Sequence, residues 1–241
     1  MSNTFDKQAF EWLNENQLSY DIWNNKYRFN NESFDEWLRR VSGDNADIER
    51  LIREKKFLFG GRTLANRGTD KGSMSNCYSH GYIEDSLDGI MDAAKNIAMT
   101  YKAQGGQGLS LSKIRPKGAS IGGKFKSDGI VPFMEIFNTV TESVSQGGSR
   151  KGALLMSLDI NHPEAETFMT IKSDLKKINK ANLSVEIDDE FMQKVVNGDS
   201  ESNRLFDILC EQACKYAEPG VIYTNRFRNY NLMEYVDSYQ I

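Results

Sequence analysis

Apolar residues between positions 1 and 60 recur at mixed steps of three and four: Phe10, Trp12, Leu13, Leu18 and Trp23, then Phe34, Trp37, Leu38 and Val41, then Leu51 and Ile52. Such steps place side chains on one face of a helix, because an α-helix completes a turn in about 3.6 residues. Polar stretches at 24–31 and 42–45 interrupt the pattern. Ser33 stands three residues before Glu36, the spacing at which a hydroxyl and a carboxylate cap a helix start reciprocally. Residues 1–60 are therefore expected to form a helical region.

The pattern changes at Gly60-Gly61, after which glycines become frequent. Short apolar runs at 77–83, 109–114, 154–160, 182–187 and 221–224 predict strands. Amphipathic stretches at 87–101, 131–144, 163–172, 190–196 and 204–217 predict helices. Strand and helix alternate through 61–241, the mark of an α/β domain with much parallel sheet. Periodicity leaves open whether that sheet is open or closed. Gly105-Gly106-Gln107-Gly108 reads as a tight turn, and 122–129, with Lys124 and Lys126, as a mobile basic loop. Asp85 and Ser86 stand where a helix cap is expected.

Composition narrows the class. The 241 residues are 39% hydrophobic and 27% charged, as in water-soluble globular proteins. A net charge of -4 opposes a general affinity for nucleic-acid backbones. No apolar run approaches the roughly 18–20 residues that span a bilayer, and residues 1–6 lack the charged and apolar segments of a signal peptide. Three cysteines without a framework spacing fit a reducing compartment. A cytoplasmic protein is expected, with neither membrane nor nucleic acid as a partner.

Candidate chemistry concentrates in the second region. In Ser145-Gln146-Gly147-Gly148-Ser149-Arg150-Lys151-Gly152-Ala153, glycines let backbone N–H groups converge on an anion. Arg150 and Lys151 can neutralise a polyphosphate, and Gln146 can read a base edge. The same stretch also reads as a flexible basic turn. Cys77 is either a small buried hydrophobe on a strand or a redox thiol facing a polar cleft. Cys210 and Cys214, four apart among Leu205, Ile208, Leu209 and Ala213, are expected on the core face of a helix. His162 precedes Pro163 at a helix start, where capping or solvent contact is expected. Asp85 reads as an N-cap or as an acceptor for a ribose hydroxyl; Arg115 reads as a solvated cation or a phosphate ligand. Paired glycines at 105–106, 122–123 and 147–148 are three candidate anion cradles, none a Walker or Rossmann motif.

Six motifs then fall in a fixed order: Ser75-Asn76-Cys77-Tyr78, Glu84-Asp85-Ser86-Leu87-Asp88-Gly89-Ile90, Gly105-Gly106-Gln107-Gly108, Ile114-Arg115-Pro116-Lys117-Gly118, Phe133-Met134-Glu135-Ile136-Phe137, and the segment 145–153. The ordered set resembles the N-terminal half of a ribonucleotide reductase large (catalytic) subunit, from about residue 18 onward. Its wording is nearer the adenosylcobalamin-dependent class than the diiron-dependent one. The resemblance implies a helical region followed by the first half of a ten-stranded α/β barrel. It places Cys77 at the cysteine oxidised to a disulfide as the ribose 2′-hydroxyl leaves, a role suited to a thiol renewed by exchange. Thr63, Asn76 and Gly106, with Gly105 beside it, match positions at the substrate's phosphate and ribose; Asn76 stands where serine is common. Asp85, Ser86, Leu87 and Arg115 match the pocket for a deoxynucleoside triphosphate effector at a dimer interface. The loop 122–129, with Lys124 and Lys126, matches the first specificity loop. Gln146, Arg150 and Lys151 match the second, which couples effector to substrate.

The resemblance also implies what the chain lacks. The segment carrying the radical cysteine would follow shortly after residue 241, and the second redox cysteine, a later phosphate loop and the tail cysteines are absent. About 18 residues before the matching region are too few for an ATP-cone. The expectation is therefore the N-terminal piece of a split reductase, or else a chain deliberately cut short. In the split form a second polypeptide completes the barrel, and the assembled enzyme is a homodimer renewed by a thioredoxin- or glutaredoxin-like reductant. The radical would come from adenosylcobalamin or from a separate metal subunit. A catalytically silent deoxynucleotide-binding regulator is the alternative.

Overall fold

The computed structural model describes residues 4–70, 72–146 and 150–232, and the backbone alone at 145–146 and 150–151. The chain divides into two compact units, Met1–Asn76 and Cys77–Ile241. The division falls later than the 60/61 boundary read from the glycines. Residues 61–76 fold with the helical unit because Leu64 joins its buried core.

The first unit contains α1 (Lys7–Trp12), α2 (Gln17–Ile22), a π-helical turn (Trp23–Tyr27), α3 (Phe34–Ser42), α4 (Ala46–Arg53) and α5 (Gly61–Asn66). The capping box forms as expected: Glu36 N–H donates to Ser33 Oγ at 3.3 Å and Ser33 N–H to Glu36 Oε2 at 2.7 Å. The core is aromatic. Phe34 stacks on Trp37 with centroids 5.8 Å apart, and Trp23 meets Trp37 edge-on at 6.1 Å. Arg40 and Glu32 pair at 2.7 Å with side chains only 10% and 11% exposed. The Arg40 guanidinium also donates to the carbonyls of Arg67 (2.6 Å) and Tyr27 (2.9 Å), tying α3 to the segments on either side.

The second unit runs β1 (Cys77–Tyr82), α6 (Leu87–Lys102), β2 (Gly106–Ser110), β3 (Ser120–Ile121), β4 (Phe125–Lys126), α7 (Val131–Ser143), β5 (Ser145–Gln146), β6 (Arg150–Lys151), β7 (Leu154–Asp159), α8 (Ala165–Thr170), β8 (Ala181–Ile187), α9 (Asp189–Val196), α10 (Ser200–Tyr216), β9 (Gly220–Tyr223) and α11 (Thr224–Asn229). Five strands form one parallel sheet in the order β1-β2-β7-β8-β9. Helices cover one of its faces. Ile90 and Ile97 of α6, Phe137 of α7, Phe168 of α8, Phe191 of α9 and Leu209 of α10 pack there against Leu109, Met156, Leu158, Leu183 and Val185.

Side chains alternate across a strand, so the intervening residues point the other way. That second face is largely polar, with Leu155 and Ile222 its apolar members. Ser110, Ser157 and Ser184 are register partners across three adjacent strands, and Ser184 faces Gly220 on the fourth. Glu186, also on this face, accepts from Ser157 Oγ at 2.6 Å and Ser112 Oγ at 3.2 Å. Parallel sheets ordinarily bury both faces in apolar residues. Here a row of serines and a hydrogen-bonded carboxylate is buried on the second face instead.

Three expectations are corrected. Gly105–Gly108 is not a turn: β2 begins at Gly106. The turn is made one residue earlier by Gln104, with φ 69°, where Gly105 N–H closes the helix end onto Thr100 O at 2.9 Å. The segment 122–129 is not a loose loop but the tip and return strand of the β3–β4 hairpin, with Gly122 and Gly123 at positive φ making its turn. Cys210 and Cys214 are exposed rather than in the core. Leu209 and Gln212 occupy the buried side of α10, and each cysteine lies one or two residues out of phase with them.

Candidate functional site

Cys77 is the first residue of β1, and its register partner on β2 is Gly106. Its thiol is free and exposed, which decides between its two readings against the buried one. In-register residues of a parallel pair share a face, so Cys77 lies on the same side as Gly106, Gly108 and the serine row. The glycines leave the floor beside the sulfur bare of side chains. Gly105 is a close-approach glycine: a Cβ there would stand 2.5 Å from the Tyr78 ring and 2.8 Å from Thr100 Cγ2. Gly105→Ala is expected to destabilise the second unit by about 1–3 kcal/mol through overpacking, measurable by urea denaturation. Asn76 is exposed at the end of the helical unit, and Thr63 is half-buried on α5.

Four of the predicted effector residues, Asp85, Ser86, Leu87 and Arg115, meet at the start of α6. Ser86, not Asp85, is the cap: its Oγ accepts from Gly89 N–H at 3.0 Å. Asp85 is thereby free to hold Arg115, whose Nε donates to Oδ2 at 2.7 Å and Nη2 to the Asp85 carbonyl at 3.0 Å. Arg115 is thus an oriented cation rather than a solvated one. Leu87 is 69% exposed in the first turn of α6. After Arg115 the chain enters the hairpin, on which Lys124 and Lys126 are exposed.

The second basic segment is a short antiparallel pair, with Ser145 opposite Lys151 and Gln146 opposite Arg150. Residues 147–149 and the side chains of Gln146, Arg150 and Lys151 lie outside the described residues. The flanks of this segment are fixed by Tyr101. Thr141 Oγ1 donates to Phe137 O at 2.8 Å, so the buried Tyr101 hydroxyl donates to Thr141 Oγ1 at 3.0 Å. The Tyr101 ring also lies against Gly152, where any Cβ would collide with it. Burial pushes the Tyr101 phenol above its ordinary pKa, the hydrogen bond to Thr141 opposing the shift, so Tyr101 is a neutral donor at physiological pH.

Sequence reading missed Glu164, Tyr101 and Glu186, because their partners are distant in the chain. His162 caps the helix start, the first of its two expected roles, and is half-buried. His162 Nδ1 accepts from Glu164 N–H at 3.1 Å, so Nε2 carries the proton and donates to Ile114 O at 2.9 Å.

A parallel sheet clothed by helices on one face and lined with serines on the other fits the wall of an α/β barrel. Residues 75–236 match the family model described as ribonucleotide reductase, barrel domain, and the chain belongs to that family. It is 32% identical over 201 residues to the vitamin B12-dependent ribonucleoside-diphosphate reductase of Thermoplasma acidophilum, across 76% of this chain and 26% of that protein. The vitamin B12-dependent ribonucleoside-diphosphate reductase of Mycobacterium tuberculosis H37Rv is 32% identical over 200 residues, across 75% and 28%. The ribonucleoside-diphosphate reductase large subunit of Monkeypox virus is 32% identical over 170 residues, across 68% and 21%. Among solved structures, the class Id ribonucleotide reductase alpha subunit of Actinobacillus ureae has a TM-score of 0.79 at 23% identity, covering 91% of this chain and 42% of that one. That likeness shows the shared fold, a helical N-terminal region followed by the first strands of the barrel. The chain spans about a quarter of the length of the curated relatives it matches. No helix among the described residues is long and apolar enough to cross a membrane.

Proposed function

We propose that this chain forms the half of a ribonucleotide reductase barrel that carries one reducing thiol and the effector site, acting in the reduction of ribonucleotides to deoxyribonucleotides. The observation that supports this most is the exposed Cys77, in register with Gly106 on the polar face of the sheet. In the reaction the ribose C2′–O bond breaks, the oxygen leaves as water, and a C2′–H bond replaces it. Two thiols supply the two electrons and two hydrogens and join as a disulfide. Cys77 is one of them. Cys210 and Cys214 are poor candidates for the other, since α10 packs on the opposite, apolar face. The second thiol therefore belongs to the complementary barrel half, whether that half continues this polypeptide or comes as a second chain. A thioredoxin- or glutaredoxin-like dithiol would restore the pair by exchange. The substrate roles of Thr63 and Asn76 rest on the family resemblance alone.

Adenosylcobalamin enters through the vitamin B12-dependent relatives and would supply the radical that starts the reaction. The glycine floor beside Cys77 fits the ribose end of that chemistry. No cluster of metal-ligating side chains occurs among the described residues, and no cobalt ligand is assigned to this chain.

A deoxynucleoside triphosphate is the proposed effector, with Arg115 held by Asp85, the exposed Lys124 and Lys126, and the backbone and cations of 146–151 as its ligands, at the interface of a homodimer. Arg115→Ala is expected to weaken binding of a deoxynucleoside triphosphate about tenfold to a hundredfold, as a charged hydrogen bond contributes about 1.5–3 kcal/mol. Equilibrium dialysis measures it; unchanged affinity would remove Arg115 from the site. The function is tested by pairing this chain with the complementary half and assaying reduction with Cys77 and with serine in its place. A purely regulatory chain would lose nothing by that exchange.

A further inference from the structure

We infer that Glu164 is a positioning residue for the effector site, drawing the two ends of the 115–130 excursion together from below. The inference rests on the reading of that segment as part of a triphosphate site. Glu164 follows β7 on the turn into α8 and is 9% exposed. One oxygen, Oε2, accepts from two backbone amides that are far apart in sequence: Lys117 N–H at 3.0 Å and Ile130 N–H at 3.1 Å. Lys117 leads into the hairpin that carries Lys124 and Lys126; Ile130 leaves it and caps α7. Gly129 has φ 83°, and its α-carbon lies so close that a Cβ would collide with the Glu164 carboxylate. His162, on the same turn, holds Ile114 O, the residue before Arg115. A buried carboxylate is costly unless hydrogen-bonded, and here the bonds it makes are the ones that close the hairpin root.

The root is closed further by Gly118 N–H to Ser127 O and Ser127 N–H to Ala119 O, both at 2.8 Å. These bonds zip the stem, but none reaches the sheet. Glu164 and His162 bond the root of the stem to the turn that follows β7, and Ser157 of β7 lies on the face shared with the thiol. Moving the turn therefore moves the hairpin cations relative to Arg115, and effector occupancy at the hairpin bears back on β7. Such coupling is reciprocal in binding free energy.

The test uses the chain assembled with its complementary barrel half, with deoxyguanosine and thymidine triphosphates as probes, read by calorimetry and by amide hydrogen exchange. Glu164→Ala is expected to bind the preferred probe at least about tenfold more weakly. Glu164→Gln keeps a carbonyl oxygen where Oε2 stands and is expected to stay within about threefold of wild type. In the wild type, the amides of Lys117 and Ile130 should exchange slowly, and more slowly still with probe bound. Alanine binding within twofold of wild type overturns the inference, as does glutamine binding as weakly as alanine. If Glu164→Ala does not fold, fast exchange of either amide in the wild type overturns it. A wild-type assembly that binds neither probe overturns the effector reading and this inference with it; a wild type that binds while Glu164→Ala binds equally sinks this inference alone.

Discussion

Replacing Cys77 by serine is expected to abolish repeated nucleotide reduction by the assembled enzyme, a loss of at least about a thousandfold in multiple-turnover rate. Serine is close to cysteine in size, and position 77 is exposed at a strand start, so stability should change by no more than about 0.5 kcal/mol. Binding of the triphosphate effector should be untouched, because Asp85, Arg115 and the hairpin do not depend on the thiol. A hydroxyl cannot give up a hydrogen and an electron to form a disulfide, and no reductant can renew it. Lost turnover with intact fold and intact effector binding separates a reducing role from a structural one. If Cys77→Ser turns over at the wild-type rate, Cys77 is no reductant.

The second large effect is structural. Arg40→Ala leaves the Glu32 carboxylate nearly buried without its cation, and leaves the carbonyls of Arg67 and Tyr27 without a donor. Removing one member of a buried pair costs about 3–5 kcal/mol, since an uncompensated charge remains behind. That is a large part of the stability of a small domain, so the helical unit is expected to unfold at much lower urea than the sheet. Tryptophan fluorescence reports this unit directly: Trp12, Trp23 and Trp37 all lie in it. A single unfolding midpoint, unchanged by the substitution, would contradict the assignment of Arg40 as the tie between segments.

Much of the fold was legible because local rules and tertiary structure agree. The Ser33–Glu36 box, the three- and four-residue steps of α3 and the apolar runs of β7 and β8 each encode an element through contacts within a few residues. Alternation of strand and helix led to the parallel sheet, and the ordered motifs to the family. Legibility failed where a residue answers to something distant in the chain. Gly105 reads as a turn glycine, yet it is small because Tyr78 and Thr100 crowd it. Cys210 and Cys214 sit among apolar neighbours, yet the phase of α10 is set by which side meets the sheet. Asp85 and Ser86 are adjacent and both suit a cap; only the reach of Arg115 separates them. Glu164 stands at a helix start, where a carboxylate needs no special reason, and its two amide partners are 47 and 34 residues away.

The most direct test is thiol mapping by mass spectrometry on the pre-reduced, assembled enzyme after a single round of substrate without external reductant. Cys77 is expected to become disulfide-bonded, about one bond per deoxynucleotide formed, while Cys210 and Cys214 remain reduced. Deoxynucleotide appearing while Cys77 stays a free thiol would contradict it.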